Sequence, residues 1–175
     1  MVNIQKATQD DLDAIESIYN EVLDDQEQNQ NTTNWQRGKY PTRATAEKAL
    51  RSETLYLQFD DNGKAVGTAI LNHEQLPEYS RISWEYPGEG EQVFVIHTLC
   101  IVPSAVGHGY ARQFVDFAEQ LGREKGCTTL RLDTYEGNLP ARAMYLKLGY
   151  RYAGETEFFF QGFIHEILVL FEKKL

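Results

Sequence analysis

The residues whose types and spacing best suit chemistry lie between an apolar run and a helix-forming segment. Val93 to Val102 is nearly all apolar, and Gly107 and Gly109 follow it closely. If a strand ends near Pro103 and a helix begins near Gly109, backbone N–H groups at the turn lack partners, and the helix dipole adds partial positive charge. Glycine also lets an anion approach the backbone, because it carries no side chain. This turn is therefore predicted to bind a phosphate or pyrophosphate.

A structural interpretation of the glycine pair stays open, since a strand-to-helix turn uses glycine wherever it needs a positive φ. Two nucleotide-binding fingerprints are absent from the sequence. No lysine follows Gly107-His108-Gly109 at the spacing of a P-loop, and Arg112 stands where the dinucleotide-binding pattern requires a third glycine. The turn therefore matches neither of these nucleotide-binding loops.

Apolar periodicity predicts the elements that hold this turn. Strands are predicted over Val2–Ala7, Leu55–Phe59, Ala65–Leu71, Val93–Val102, Thr128–Thr134, Tyr150–Glu155 and Phe163–Glu172. Helices are predicted over Asp10–Leu23, Pro41–Arg51, Gly107–Lys125 and Asn138–Leu148. Asn62-Gly63, between the second and third strands, is a strong hairpin signal because both residues accept positive φ. The polar stretch from Asp24 to Tyr40 has no periodicity and is predicted to be a long loop, which in a compact domain is usually functional or disordered.

The order of these elements predicts the fold class. Strands and helices alternate after residue 93, which implies at least one βαβ unit. A mixed α/β sheet with helices on both faces is the expected result. The 175 residues contain no repeat, low-complexity tract or linker, so a single domain over residues 1–175 is predicted.

Composition restricts the partners and the compartment. With 17 basic against 26 acidic residues the net charge is −9, so the chain is a poor candidate for binding nucleic acid or an anionic membrane. Two cysteines, Cys100 and Cys127, do not form a disulfide framework and are expected to be buried, reduced thiols. The sequence shows no secretory or membrane-spanning apolar segment, so a cytoplasmic location is expected. No His, Cys, Asp or Glu cluster has metal-ligand spacing, and no metal is predicted.

Two blocks of the sequence resemble the GCN5-related N-acetyltransferase (GNAT) superfamily. The acetyl-CoA signature of that family is Gln/Arg-x-x-Gly-x-Gly/Ala after a strand ending Leu-x-Val-x-Pro. Leu99, Ile101 and Pro103 match the strand, and Gly109 and Ala111 match the last two signature positions.

The second block runs from Asn138 to Tyr150 and resembles the family pattern Asn-x-x-Ala-x-x-Leu/Met-Tyr-x-Lys-x-Gly-Phe/Tyr. The first block has one departure, because Val106 stands where Gln or Arg is usual. Backbone amides make most of the phosphate contacts in this family, so Val106 is expected to weaken the site without removing it.

The resemblance implies the mostly antiparallel central sheet of the GNAT fold, acetyl-CoA as cosubstrate and N-acetyltransferase activity. The residues that it assigns to acetyl-CoA binding are Leu99, Cys100, Ile101, Val102, Val106, Gly107, His108, Gly109, Tyr110, Ala111, Asn138, Ala141 and Tyr145.

Acyl transfer to an amine needs two proton movements. An alkylammonium must lose a proton before it attacks a thioester, and the departing CoA thiolate must gain one. The resemblance implies that Tyr145 is the general acid, and a purely packing role for this aromatic ring is the alternative. His97 is the candidate base, because some members that acetylate arylalkylamines have histidine at this position; a structural histidine is the alternative. Glu85, Glu89 and Glu91 are alternative bases that would act through water.

The geometry of the strand around His97 is also predicted. Strict alternation places His97 with Val95, Leu99 and Ile101 on one face of the strand, unless the bulge that is characteristic of the family changes that pattern. The resemblance also implies that a backbone N–H between Leu99 and Val102 stabilises the oxyanion formed during transfer.

The acceptor is expected to be a primary amine on a small molecule, acetylated by direct transfer in a ternary complex. The resemblance places the acceptor pocket at the long loop, where Trp35 and Tyr40 are the predicted substrate-binding residues and Lys39 lies beside them; local packing would equally explain the two aromatic residues. Acetylation of a protein N-terminus or lysine, a non-catalytic acyl-CoA-binding module, and a nucleotide-binding protein of another family stay open as alternatives. The resemblance also makes a homodimer plausible.

Overall fold

Seven β-strands and four α-helices form the secondary structure of residues 3–175, the part of the chain that the computed structural model describes. The strands are β1 (Asn3–Lys6), β2 (Leu55–Phe59), β3 (Ala65–Asn72), β4 (Val93–Ile101), β5 (Thr129–Tyr135), β6 (Arg151–Phe160) and β7 (Ile164–Lys174). The helices are α1 (Leu12–Gln28), α2 (Arg43–Arg51), α3 (Tyr110–Glu124) and α4 (Leu139–Lys147). Each predicted strand and helix is present, and Val2, the first residue of the predicted opening strand, lies outside the described residues.

The strands form one sheet in the order β1-β2-β3-β4-β5-β7-β6. Strands β4 and β5 pair in parallel through Val93–Ile96 and Thr129–Leu132. The pairs β1–β2, β2–β3, β5–β7 and β6–β7 are all antiparallel. The mixed, mostly antiparallel sheet that was predicted is therefore confirmed. Helix α3 links the two parallel strands, as the predicted βαβ unit requires.

The chain divides into two compact units. The first unit contains residues up to Gln30, then Trp35–Leu71 and His97–Phe117. The second unit contains Asn31–Asn34, Asn72–Ile96 and Ala118–Leu175. None of the helices within residues 3–175 is long and apolar enough to cross a membrane.

The core of the first unit forms where α1 and α2 pack on the strands. Leu12, Ile15, Ile18 and Tyr19 recur at helical spacing on one face of α1, and all four are almost completely buried. They pack with Ala46 and Ala49 of α2, Leu55 and Leu57 of β2, and Val66 of β3. Amphipathic periodicity therefore identified the buried face of α1 correctly.

The end of α1 differs from the prediction. The helix continues to Gln28, whereas the sequence analysis ended it at Leu23 and began the long loop at Asp24. The last turns carry polar side chains, so they give no apolar periodicity, but Gln26 is buried and its Nε2 donates a hydrogen bond to the carbonyl oxygen of Trp35 at 2.6 Å. A contact with a later segment thus holds this polar part of the helix in place.

The core of the second unit contains Val93 and Val95 of β4 and Phe158 of β6, together with Leu168 and Leu170 of β7. The structure corrects the length of β6, which was predicted to end at Glu155 and in fact ends at Phe160. It pairs with β7 along its whole length, so the register of the partner strand, rather than local alternation, sets its end.

Candidate functional site

The predicted phosphate-binding turn lies between β4 and α3 and has the backbone conformation that its glycines suggested. Gly107 and Gly109 have φ of +87° and +82°, and a Cβ built on either would meet no atom within 4 Å. Helix α3 therefore begins at Tyr110 instead of Gly107. Among the described residues, no acceptor pairs with the backbone N–H groups of Gly107, His108 and Gly109. The turn thus presents unpaired donors, with open space beside both glycines, at the positive end of a helix.

The side chains of the turn are mostly exposed. Val106 is 67% exposed, so the residue at the usual Gln/Arg position projects into solvent. The ring of His108 stacks on Tyr110, with centroids 6.2 Å apart, and its Nδ1 lies 3.2 Å from the carbonyl oxygen of Ala105. Ala111, in the first turn of α3, is half-buried. A ligand at this turn would therefore meet backbone donors and the exposed imidazole of His108.

The strand before the turn is irregular at Thr98. This residue has a φ of +52°, which is uncommon for a β-branched residue and interrupts the regular alternation of side chains. The strict alternation that would place His97, Leu99 and Ile101 on one face therefore does not hold beyond Thr98, and the irregularity lies where the resemblance expected a bulge. His97, Leu99 and Ile101 are half-buried.

Two groups at the end of β4 have defined roles in the fold. The backbone N–H of Val102 donates to the carbonyl oxygen of Val66 at 2.8 Å, so this N–H is not available to an oxyanion. Burial raises the pKa of the Cys100 thiol to about 12, which keeps it protonated at neutral pH. A protonated thiol is a poor nucleophile, so Cys100 is not suited to carry an acyl group. Both cysteines are free and buried, as predicted.

The predicted substrate-binding aromatics contact each other and this strand. The ring of Trp35 meets Tyr40 edge-on, with centroids 6.1 Å apart, and Tyr40 is 7% exposed. The Tyr40 hydroxyl forms a short hydrogen bond with the Thr98 hydroxyl. The long loop is thereby connected to β4 at the irregular residue, directly after His97. Trp35 is half-buried, so local packing accounts for part of its position.

The second block that resembles the family pattern forms α4 in the other compact unit. Asn138 is the N-cap of α4, and its side-chain oxygen accepts a hydrogen bond from the backbone N–H of Ala141 at 3.2 Å. Asn138 and Ala141, both predicted to contact acetyl-CoA, are thus hydrogen-bonded to each other at the start of α4.

Tyr145, the predicted general acid, lies on α4 and is 5% exposed. Its ring packs against Tyr150 and Phe171, with centroids 5.6 and 5.7 Å away. Burial and the charge of Asp133 raise the pKa of its phenol well above the ordinary value. The side chain therefore packs the helix on the sheet and also keeps its proton at neutral pH.

The sequence analysis missed a group of acidic residues in the second unit. Asp133 of β5 is half-buried and accepts a hydrogen bond from the Tyr79 hydroxyl at 2.7 Å. Glu166 of β7 is 9% exposed and accepts one from the side-chain amide of Asn34 at 3.1 Å. Burial raises the pKa of Asp133 to about 6 and that of Glu166 to about 7. These carboxylates thus change protonation near neutral pH, where a general base or a cation-binding group would operate.

One signal in the sequence pointed to Asp133. It lies inside the predicted strand Thr128–Thr134, and a charged side chain that a sheet buries needs a partner. No comparable signal marked Glu166, because its burial depends on the pairing of β7 with β6 and on Asn34 from a distant loop.

A separate cleft of about 830 Å³ also lies in the second unit. Trp84, Arg131, Glu89 and Lys174 are among the residues that line it, and the guanidinium of Arg131 lies 4.2 Å from the ring centre of Trp84. Of its described lining residues, none but Glu89, an alternative base, was singled out by the sequence analysis. Within residues 3–175, no three His, Cys, Asp or Glu side chains are grouped as metal ligands would be.

The predicted site residues therefore fall into two sets. The first unit holds His97, the residues at the end of β4, the glycine turn, Trp35 and Tyr40, and it connects Tyr40 to β4. The second unit holds Asn138, Ala141 and Tyr145, together with the acidic residues that the sequence analysis did not identify.

Comparison with known proteins identifies relatives by sequence and by structure. The sequence profile of the acetyltransferase (GNAT) family matches residues 15–150, which is more than three quarters of the chain. A search of curated proteins found no match.

Solved structures of similar fold are numerous. A GNAT-family acetyltransferase from Listeria monocytogenes has a TM-score of 0.75 at 17% identity, covering 99% of this chain and 95% of that one. An N-acetyltransferase from Staphylococcus aureus Mu50 has a TM-score of 0.69 at 21% identity, covering 99% and 98%. The ribosomal-protein-S18-alanine N-acetyltransferase from Escherichia coli has a TM-score of 0.68 at 15% identity, covering 99% and 94%. At these identities the structural likeness establishes the fold.

Proposed function

Because the chain belongs to the acetyltransferase (GNAT) family, we propose that it transfers the acetyl group of acetyl-CoA to a primary amine of a small molecule. Family membership makes the chain an acyltransferase, and members of the family use acetyl-CoA. The observation that carries the proposal is the turn before α3, whose unpaired N–H groups and open glycines suit a pyrophosphate.

Binding of the pyrophosphate would depend on the backbone more than on side chains. The N–H groups of Gly107, His108 and Gly109 are the available donors, and the N-terminus of the 15-residue helix α3 adds partial positive charge. Val106 contributes no charge, so affinity is expected to be moderate. His108 would add a donor from its exposed ring.

The transfer itself is proposed to be direct. The acceptor ammonium first gives one proton to a base, and the neutral amine nitrogen then bonds to the thioester carbon. The carbon–sulfur bond breaks, the amine nitrogen loses its second proton, and the CoA thiolate takes up one proton to leave as the thiol. The high pKa of Cys100 supports direct transfer over an acyl-cysteine intermediate.

Two residues are proposed for the proton movements. Tyr145 would protonate the departing thiolate, since its buried phenol keeps its proton at neutral pH. His97 would accept the proton of the ammonium, either directly or through water. It precedes Thr98, which is bonded to Tyr40 of the proposed acceptor loop.

Calorimetric titration of the purified protein tests this function first. Acetyl-CoA is expected to bind with a Kd on the order of 1 μM, equivalent to about −8 kcal/mol, while ATP and NAD produce no heat. Thiol release with a panel of small amines then measures turnover. Binding without turnover on any amine would indicate an acyl-CoA-binding module, and no heat with acetyl-CoA would overturn the proposal.

A further inference from the structure

The cleft of about 830 Å³ in the second unit has one buried charged residue among its described lining residues. Arg131 of β5 is 4% exposed, whereas Lys174 and Glu89, which also line the cleft, are exposed. All the described lining residues belong to the second unit. The volume is that of a pocket for a small molecule, for which about 300–1,000 Å³ is usual. It is called the Arg131 cleft below.

The guanidinium of Arg131 has no carboxylate partner within the part of the chain that the structure describes. Glu172, its neighbour across β5 and β7, forms an ion pair with Arg151 instead, at 2.7 Å. The same carboxylate accepts hydrogen bonds from the backbone N–H groups of Glu85 and Tyr86. Burial lowers the pKa of Arg131, and the charge of Glu172 offsets only part of that effect. Arg131 is therefore a buried cation whose charge is poorly compensated, which is costly.

The Nε of Arg131 is a second, independent sign of a missing partner. Nη1 donates to Oε1 of Gln75 at 2.6 Å, and Nη2 donates to the carbonyl oxygen of Tyr86 at 2.9 Å. The Nε–H is buried, and none of the described residues accepts a hydrogen bond from it. Buried donors are normally paired. A ligand oxygen in the cleft would supply the acceptor and, if it is charged, the counter-ion as well.

Trp84 forms an aromatic wall of the Arg131 cleft. The guanidinium carbon of Arg131 lies 4.2 Å from the centre of its ring, and its indole N–H donates to the carbonyl oxygen of Tyr79 at 3.0 Å. These two contacts hold the ring in place before any ligand binds. A flat apolar group can therefore pack on it at a small cost in conformational entropy.

The Arg131 cleft lies on the other face of the sheet from the proposed general acid. Tyr145 packs on Phe171 of β7, and Glu172 follows Phe171 on that strand, so the two successive side chains point to opposite faces. Arg131 shares the face of Glu172, its cross-strand neighbour. A ligand in the cleft would therefore not contact Tyr145.

We propose that the Arg131 cleft binds a small molecule with a flat apolar body and a single carboxylate. The carboxylate would accept the hydrogen bond of the Arg131 Nε and neutralise the guanidinium, whose planar donor array suits a carboxylate. The apolar body would pack on Trp84. This second binding site goes beyond the proposed function and does not depend on it.

A phosphate monoester suits the cleft less well than a carboxylate. Its charge of about −1.5 to −2 at pH 7 exceeds what one buried cation neutralises. The exposed carboxylate of Glu89 at the same cleft would also repel it more strongly.

Nuclear magnetic resonance of the ¹⁵N-labelled protein tests the inference through the indole N–H signals of its two tryptophans, Trp35 and Trp84. The Trp84 signal is the one that disappears in Trp84→Phe. The probes are 3-phenylpropanoate, the neutral 3-phenylpropanamide, phenyl phosphate, and propanoate, which has no ring. We expect 3-phenylpropanoate to shift the Trp84 signal with a Kd below about 1 mM, and to bind about tenfold or more tightly than each of the other three.

Two variants test the role of charge in the cleft. Arg131→Met removes the cation at similar length and should weaken the binding of 3-phenylpropanoate about tenfold or more, to the level of the amide. Lys174→Glu adds a negative charge at an exposed lining position and should weaken it about threefold or more without affecting the amide, so the inference stays testable if Arg131→Met does not fold. Arg51→Met, at an exposed position of α2, is the matched control and should keep the native affinity.

Any of four results would overturn the inference. They are equal affinity for the carboxylate and the amide, tighter binding of phenyl phosphate, no shift of the Trp84 signal at about 10 mM 3-phenylpropanoate, and native affinity in whichever of the two cleft variants folds. None of these titrations contains acetyl-CoA. Their failure would therefore leave the proposed function standing, and a failure of acetyl-CoA to bind would leave this inference standing.

Discussion

At the scale of single residues, burial decides the protonation state of the groups that the reaction would use. The Tyr145 phenol and the Cys100 thiol are both buried, and both have a raised pKa because burial disfavours their charged forms. Each therefore carries its proton at neutral pH. For Cys100 this removes nucleophilicity, whereas for Tyr145 it preserves the proton that a leaving thiolate needs.

Replacement of Tyr145 by Phe should separate its packing role from its chemical role. The ring contacts with Tyr150 and Phe171 would remain, so the melting temperature and the Kd for acetyl-CoA are expected to change little. The proton donor would be lost, and kcat should fall by about 100-fold or more. Steady-state kinetics measures kcat, calorimetric titration measures the Kd, and thermal unfolding measures the melting temperature.

The matched control is Tyr152→Phe, since Tyr152 is 45% exposed on β6 and lies in the same compact unit. It should keep the native kcat. A Tyr145→Phe enzyme with native kcat would leave Tyr145 with a packing role alone.

At the scale of elements, β4, the glycine turn and α3 follow one another directly in the chain. The strand becomes irregular at Thr98, the turn holds two glycines with positive φ, and the helix begins directly afterwards. Gly107 and Gly109 both have a positive φ, a backbone conformation that glycine adopts most easily. Steric crowding does not require glycine there, because a Cβ at either position would meet only open space. That open space is where the proposed pyrophosphate would approach.

A negative side chain at the turn should abolish acetyl-CoA binding. Gly109→Glu would project a carboxylate into the open space beside the unpaired N–H groups, and like-charge repulsion should weaken the Kd by about 100-fold or more. Calorimetry measures the change.

Gly63→Glu, in the hairpin between β2 and β3, is the control for backbone strain. Gly63 also has a positive φ of +78° and no atom within 4 Å of a built Cβ. The Gly63→Glu variant should lower stability about as much as Gly109→Glu does, but it should keep the native affinity for acetyl-CoA. Equal affinity in both variants would place the phosphate site elsewhere.

At the scale of the whole molecule, the carboxylates of Asp133 and Glu166 make stability depend on pH. Both carboxylates have folded-state pKa values above their ordinary ones, so the folded protein retains their protons longer than the unfolded chain does. Their stabilising contribution is present below about pH 4 and is lost as pH rises through about 6 for Asp133 and about 7 for Glu166.

The double variant Asp133→Asn, Glu166→Gln should remove this loss. Its free energy of unfolding relative to that of the native protein is expected to increase by about 1–3 kcal/mol between pH 5.5 and pH 8. Urea unfolding at the two pH values measures it. The exposed-site variant Glu157→Gln should show no such increase, and a pH-independent difference in the double variant would contradict the raised pKa values.

Much of the fold could be predicted because local patterns report local structure. The apolar spacing of Leu12, Ile15 and Ile18 predicted the buried face of α1, and Asn62-Gly63 predicted the hairpin between β2 and β3. Errors concentrated at the ends of elements. The polar end of α1 and the outer half of β6 are held by contacts with residues far along the chain, which no local pattern contains.

The sequence by itself determined the family, the mixed sheet and the position of the glycine turn, because each depends on residue types at short, fixed spacing. Only the tertiary structure brought Asn34 to Glu166 and Tyr79 to Asp133. Those pairs are separated by 132 and 54 positions in the chain, so their burial and their raised pKa values arise from strand pairing and packing. A carboxylate gains such properties from its surroundings, which exist only once the chain has folded.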